Sequence, residues 1–167
     1  MSVFNQISPD SINDNTIKLI GKEWMLVTAK TGDKINTMTA SWGGLGVMWG
    51  KPVAFVVIRP TRYTKEFIDQ EESFSLSFFG NAYKKQLGYL GTVSGRDEDK
   101  ITKSGLTVVN EDIPYFEEAR LVLKVKKLYA QEMQKDCFIN QELCEKWYPN
   151  EDYHTLYVTE IIDVLTK

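Results

Sequence analysis

The 167-residue chain is short of histidine, of cysteine and, between Lys34 and Lys65, of any acidic residue. Each scarcity excludes something. One imidazole, His154, and two thiols, Cys137 and Cys144, do not make the clustered ligand set of a zinc site, and the thiols are too far apart for a C-x-x-C pair. No metal is expected. Two cysteines suffice for one disulfide in an oxidising compartment, but nothing else points to such a compartment, so free thiols are expected. The longest charge-free run, Ile35 to Gly50, is broken by Asn, Thr, Ser and four glycines and is too short to cross a bilayer. The first residues lack a basic segment followed by an apolar one, so no secretory signal is read and the cytoplasm is the expected compartment. A net charge of −3 argues against nucleic-acid binding. With 43% hydrophobic and 26% charged residues, residues 1–167 read as a single globular domain with a proper core.

The acid-free stretch is the informative one, since a chain of this acidity would place about four carboxylates in a window that long. It runs N-T-M-T-A-S-W, G-G-L-G-V-M-W-G-K-P, V-A-F-V-V-I and R-P-T-R-Y-T. As a strand, Ile35 to Trp42 sets Thr37, Thr39 and Ser41 on one face and Met38, Ala40 and Trp42 on the other. A half-buried strand with its hydroxyls in water explains that pattern equally well. Gly44-x-Gly46 superficially resembles a dinucleotide fingerprint, yet Trp49 stands where the third glycine belongs and a strand follows instead of a helix, so a Rossmann site is rejected. The glycines read as a mobile or closely packed loop, with Trp49 a core anchor or one wall of a ligand site. Val53 to Ile58 reads as a strand buried on both faces. After it, T-R-Y-T-K-E-F-I reads as a helix with Thr61 at its N-cap. Arg59 and Arg62 near that helix start oppose its dipole unless an anion sits there. The stretch therefore suits a flat, apolar ligand with a phosphate tail; the competing reading pairs either arginine with Glu66 or Asp69 on the surface.

Elsewhere the pattern is architectural. Residues up to Asn15 read as an arm with turns, and T-I-K-L-I-G as a short helix ended by Gly21. Trp24 to Ala29 pairs with the strand from Ile35 through a turn at Thr31–Lys34. S-F-S-L-S-F-F alternates as a half-buried strand, and a helix is expected from Ala82 to Leu90. Ser94 and Asp97 form a candidate capping box, with Gly105 as the stop, and the charge of R-D-E-D-K reads as a solvated helix face. Ser94, Gly95 and Arg96 are also candidates for a loop near a cofactor. Strands are expected at Leu106–Val109, at Ala119–Ala130 and from His154 to Leu165, with a helical piece from Gln141 to Trp147. About seven strands without regular strand–helix alternation indicate a mainly β, antiparallel barrel with short helical inserts.

Taken in order, N-T-M-T-A-S-W, R-P-T-R-Y-T, S-F-S-L-S-F-F, V-S-G-R-D-E-D-K, F-E-E-A-R-L-V-L and H-T-L-Y-V-T-E-I-I resemble the flavin reductase-like, FMN-binding split-barrel family, which includes flavoredoxin. The resemblance implies a Greek-key split β-barrel, a homodimer and non-covalent FMN. It places Asn36, Met38, Thr39, Ala40, Ser41 and Trp42 along the flavin ring and ribityl chain, and Arg59, Arg62, Tyr63 and Thr64 around the phosphate. The activity implied is hydride transfer from NADH or NADPH to the flavin, with electrons passed to free flavin or a redox partner protein. The alternative is a non-enzymatic FMN-binding electron carrier reduced by another protein. A barrel that has lost its cofactor is the bland reading, and oxidation of a pyridoxamine-type substrate finds no support in these motifs. His154 is a candidate catalytic proton donor or an ordinary capped residue.

Overall fold

The computed structural model describes residues 3–167. Eight strands form one antiparallel sheet: β1 (Asn5–Ile7), β2 (Met25–Thr31), β3 (Lys34–Ala40), β4 (Gly43–Met48), β5 (Lys51–Ile58), β6 (Ser73–Phe78), β9 (Leu121–Glu132) and β10 (Thr155–Thr166). Their order is β3-β2-β6-β9-β10-β5-β4, with β1 added alongside β10. The two outer strands of that order, β3 and β4, are separated in sequence by only Ser41 and Trp42. A flat sheet cannot bring its opposite edges within two residues, so it curls round to do so without closing its hydrogen bonds. This is the expected Greek-key split barrel. β7 (Val108–Val109) and β8 (Tyr115–Phe116) pair separately.

Period-two burial fixes two cores. Met25, Val27 and Ala29 of β2 point into the barrel with Phe74, Leu76 and Phe78 of β6 and Leu123 and Val125 of β9. Leu26 and Val122 point outward beneath Leu87, Leu90, Leu106 and Phe116. That second layer corrects the reading of β6 as half-buried: Ser75 and Ser77 are fully buried too, and Ser75 Oγ donates to the Pro114 carbonyl.

The helices are α1 (Thr16–Lys18), α2 (Tyr63–Gln70), α3 (Lys84–Thr92), which covers the outer face of the sheet through Leu87 and Leu90, α4 (Lys100–Ser104) and α5 (Gln141–Trp147). Several local expectations need correction. The glycine segment is strand β4, paired with β5 along its length. Glycine is required at its start, where Gly43 has φ +150° and an added Cβ would stand 2.2 Å from the Phe55 carbonyl oxygen. Trp49 is exposed in the hairpin turn at φ 52°, so it anchors no core. The N-cap of α2 is Arg62, one residue beyond Thr61. Asp99, whose carboxylate accepts from the Thr102 amide, caps α4 in place of Ser94; Gly105 ends that helix in the left-handed conformation as expected. The first helix runs past Gly21 as a wide turn to Glu23. No helix among the described residues is long and apolar enough to cross a membrane.

Candidate functional site

Strand β3 supplies the floor of the site. Its even-numbered residues Asn36, Met38 and Ala40 share one face by the two-residue period, and all three are buried. The odd-numbered hydroxyls are spent on the fold: Thr37 Oγ1 donates to the Val27 carbonyl and Thr39 Oγ1 to the Leu87 carbonyl. Two adjoining clefts open along this strand. The larger, of 190 Å³, is lined by Met38, Thr39, Ala40, Ser41 and Trp42 together with Arg59 and Arg62. The smaller, of 90 Å³, takes in Asn36, Tyr63 and Thr64, and shares Met38 and Arg62 with the first. All ten residues expected to line the cofactor thus border one of the two clefts.

The larger cleft is aromatic at its mouth. Trp42 meets Trp147, at the end of α5, edge to face at 4.9 Å, and His154 lies 5.1 Å from Trp42. Arg59 lines the same cleft. Its guanidinium pairs with Asp152 at 2.7 Å, donates to the Trp147 carbonyl at 3.2 Å and lies over the Tyr148 ring at 5.1 Å. Three contacts to one segment make Arg59 a clasp that holds α5 against the barrel. The surface ion pair weighed for this arginine is real, but its partner is Asp152 and neither Glu66 nor Asp69. Glu66 instead pairs with Arg96, whose guanidinium covers Tyr63.

His154 shares a 2.8 Å hydrogen bond with the Tyr148 hydroxyl through Nδ1. Burial, then the nearby Arg59 guanidinium, push its pKa down from 6.5 to about 4. At neutral pH the imidazole is uncharged, which makes it a wall and a hydrogen-bonding group, with no proton to donate as an imidazolium.

The smaller cleft is electrostatically different. Arg62 donates to the Gly91 carbonyl at 2.8 Å, and no carboxylate pairs with it among the described residues. Opposite stands Lys100, 3% exposed, with Nζ donating to the carbonyls of Leu90 and Val93. Burial, then the Arg62 charge, lower its pKa to about 8. Burying a cation beside another cation is costly unless an anion joins them. Hydroxyls surround the pair: Thr61, Thr64, Thr92 and Ser94 all border the cleft. Thr64 Oγ1 accepts from Asn36 Nδ2 at 2.8 Å, which orients the asparagine. Gly95 passes so close that an added Cβ would stand 2.1 Å from Asn36 Oδ1, so the loop after Ser94 packs on the site as a glycine-only contact.

Two residues were not foreseen. Lys100 closes the V-S-G-R-D-E-D-K segment, and its signal was a lysine in a position read as solvated; the structure corrects that reading. Trp147 had no signal, because only the folded chain brings α5 to Trp42. Cys137 is exposed and Cys144 buried, both free, and no cluster of metal-binding side chains occurs among the described residues.

An open split barrel with a flat, aromatic-walled cleft that runs into a pair of uncompensated cations defines a protein built for an aromatic ligand with an anionic tail. The chain belongs to the flavin reductase like domain family, whose model matches residues 18–167. It is similar to an FMN-binding domain of a flavin reductases-like enzyme from Shewanella baltica OS155, at 18% identity over 98% of this chain and 77% of that one, with a TM-score of 0.71. It is also similar to flavoredoxin of Desulfovibrio vulgaris (Miyazaki F), at 26% identity over 86% of this chain and 69% of that one, TM-score 0.67. Among curated proteins it is 34% identical to Escherichia coli (strain K12) YddH over 74 residues, 44% of this chain and 39% of that protein. The match thus spans about two-fifths of that relative's length.

Proposed function

We propose that this chain binds FMN and acts as an oxidoreductase, accepting a hydride from NADH or NADPH and passing electrons to free flavin or a partner protein. The observation that carries the reading is the Arg62–Lys100 pair at the end of the aromatic cleft. A phosphate dianion there would offset two desolvated positive charges at once, and Met38, Ala40 and Trp42, which line the adjoining cleft, would hold the ring of the same ligand. The residues present fit the cofactor. Bound FMN would supply the redox chemistry itself. The chain's own tasks are narrower. Arg62 and Lys100 bind the phosphate, with Thr61, Thr64 and Ser94 as hydroxyl donors. Asn36, fixed by Thr64, orients the polar chain between ring and phosphate. Trp42, Trp147 and neutral His154 exclude water from the ring end, and Arg59 positions Trp147 through the α5 segment.

The second reading, an electron carrier reduced by another protein, is favoured by one feature: Trp147 packs on Trp42 in the lining of the larger cleft, which narrows the access a nicotinamide would need. Anaerobic titration of the FMN-loaded protein with NADH and then NADPH separates the two. Bleaching of the flavin absorbance by either nicotinamide supports the reductase; a spectrum that persists, yet is bleached by a chemical reductant, supports the carrier. Protein that acquires no flavin spectrum on adding FMN removes both.

A homodimer is the remaining part of the proposal. An exposed apolar strip on the edge strand β4 and its turn, Val47, Met48 and Trp49, continues onto Tyr129 of β9 and supports it. Sedimentation equilibrium giving a monomer at micromolar concentration would remove that part alone.

A further inference from the structure

The outer face of the α5 segment leaves apolar side chains in solvent. Leu143 and Trp147 stand four residues apart on α5, on one side of the helix, and Ile139 precedes the Asn140 N-cap. All three are exposed. Ile139 holds the position from which an apolar side chain folds back onto the fourth helical residue to fix the helix start. Here that fourth residue, Cys144, is buried while Ile139 is 103% exposed, so capping does not account for it. At the other end Trp147 belongs to two surfaces, since it also lines the larger cleft and packs on Trp42, itself exposed. An exposed apolar stripe thus ends at the wall of the larger cleft, and such a patch beside a site marks an interaction surface.

Charge identifies what the stripe takes. Residues 135–152 carry five carboxylates against two lysines, a net −3 that equals the charge of the whole chain. Asp152 is spent on Arg59 and Glu151 on Lys135. Asp136, Glu142 and Glu145 are exposed and form no ion pair among the described residues, and Lys146 lies over the Trp147 ring. A second copy of this chain would set acid against acid here, and an anionic membrane surface would be repelled for the same reason. We propose that the face formed by Ile139, Leu143 and Trp147 docks a redox protein whose cofactor edge is ringed by lysines or arginines; this rests on the FMN reading above. A basic rim meets the free carboxylates while the apolar centre covers the stripe. A partner so seated touches Trp147, and stands one side chain from the place the flavin ring would occupy. Each two-electron oxidation of reduced FMN would serve two one-electron acceptors in turn, with the flavin's protons released to solvent.

The test uses cytochrome c, a basic haem protein, as the probe, beside the same protein with its lysines acetylated, which keeps the haem edge and removes the charge. Binding to the FMN-loaded chain is read by titration calorimetry at low ionic strength, and electron delivery by haem absorbance after anaerobic photoreduction of the flavin. Cytochrome c is expected to bind and to be reduced, with its affinity falling about tenfold or more between low and physiological salt. The acetylated form is expected to bind about tenfold more weakly. Glu142→Lys with Glu145→Lys is expected to weaken binding about tenfold and Leu143→Ser about threefold. Asp33→Lys with Asp112→Lys, an equal change of charge at two exposed positions elsewhere, is expected to leave it within about twofold. An FMN affinity unchanged from the native protein's reports that each variant has folded. Equal weakening by the two charge pairs would overturn the proposal, because net charge alone would then explain the attraction. So would the absence of a complex, binding without reduction, or a dimer that Leu143→Ser dissociates, which would give the face to a second copy. Failure of FMN itself to bind would overturn the underlying reading, while calorimetry on the flavin-free chain still decides the docking face.

Discussion

Arg59 and Arg62 leave the same turn, three residues apart, and meet opposite fates. Arg59 is neutralised within the protein by Asp152 and spends its other contacts on Trp147 and Tyr148. Arg62 finds only the Gly91 carbonyl and faces the buried Lys100 across the smaller cleft. Equal chemistry at the sequence level thus divides into a structural clasp and a cation that no carboxylate pairs with among the described residues. What separates them is the carboxylate that tertiary structure delivers to one and withholds from the other. A cation that folding leaves without a counter-charge in a desolvated place is the better guide to a ligand.

The comparison breaks most visibly at Arg62. Added FMN should raise the melting temperature of the native protein, and Arg62→Ala should lose most of that shift, consistent with an affinity loss of about 100-fold from one charge-assisted phosphate contact. Without FMN the variant should melt close to the native protein.

The next effect is in pH. Lys100 alone has a pKa of about 8, and a bound phosphate draws it back up, so above that pH binding must take up a proton. FMN affinity should be greatest between about pH 6, where the phosphate becomes a dianion, and pH 8, and fall by up to about tenfold per unit above that. Riboflavin, which lacks the phosphate, should show no such fall over the same range.

Arg59→Ala should act on the other end. FMN affinity is expected to stay within about threefold, while the fold loses ~1 kcal/mol for a partly exposed ion pair and its hydrogen bond. Amide hydrogen exchange should quicken through α5 and leave α3 unchanged. Equal loosening of both helices would deny Arg59 its role as a clasp.

A further effect, on stability alone, is from His154. Its folded pKa lies below the unfolded one, so the unfolded chain takes up a proton first as the medium is acidified. The stability it contributes is complete above pH 6.5 and is lost between 6.5 and about 4. Urea midpoints at pH 7 and pH 4.5 should therefore fall further for the native protein than for His154→Gln.

Much of the scaffold was legible because it rests on local periodicity. Trp24 to Ala29 is rich in β-formers and folds as a strand, and Gln141–Trp147 is the helix its pattern indicates. The acid-free stretch pointed to residues that border the two clefts, because an absence of carboxylates is legible in composition alone. The larger errors come from partners that the local pattern does not show. Ser75 and Ser77 alternate with phenylalanines like surface residues, and only the layer of Leu106 and Phe116 buries them. Gly43 to Gly46 looked like a loop until β5 paired with it. Lys100 sits among acidic neighbours in a segment that reads as solvated, and becomes a buried cation only when α4 folds against the carbonyls at the end of α3. Asp152, the residue that reassigns Arg59, lies in a polar segment with no pattern to tie it to the turn at Pro60.

In the proposed function the phosphate is met by Arg62 with Lys100 and not by Arg59. The most direct measurement is the ratio of FMN affinity to riboflavin affinity in the native protein, Arg59→Ala and Arg62→Ala, titrated side by side at pH 7. The account predicts a large ratio that survives in Arg59→Ala and collapses toward one in Arg62→Ala. A ratio that survives in Arg62→Ala and collapses in Arg59→Ala would contradict it.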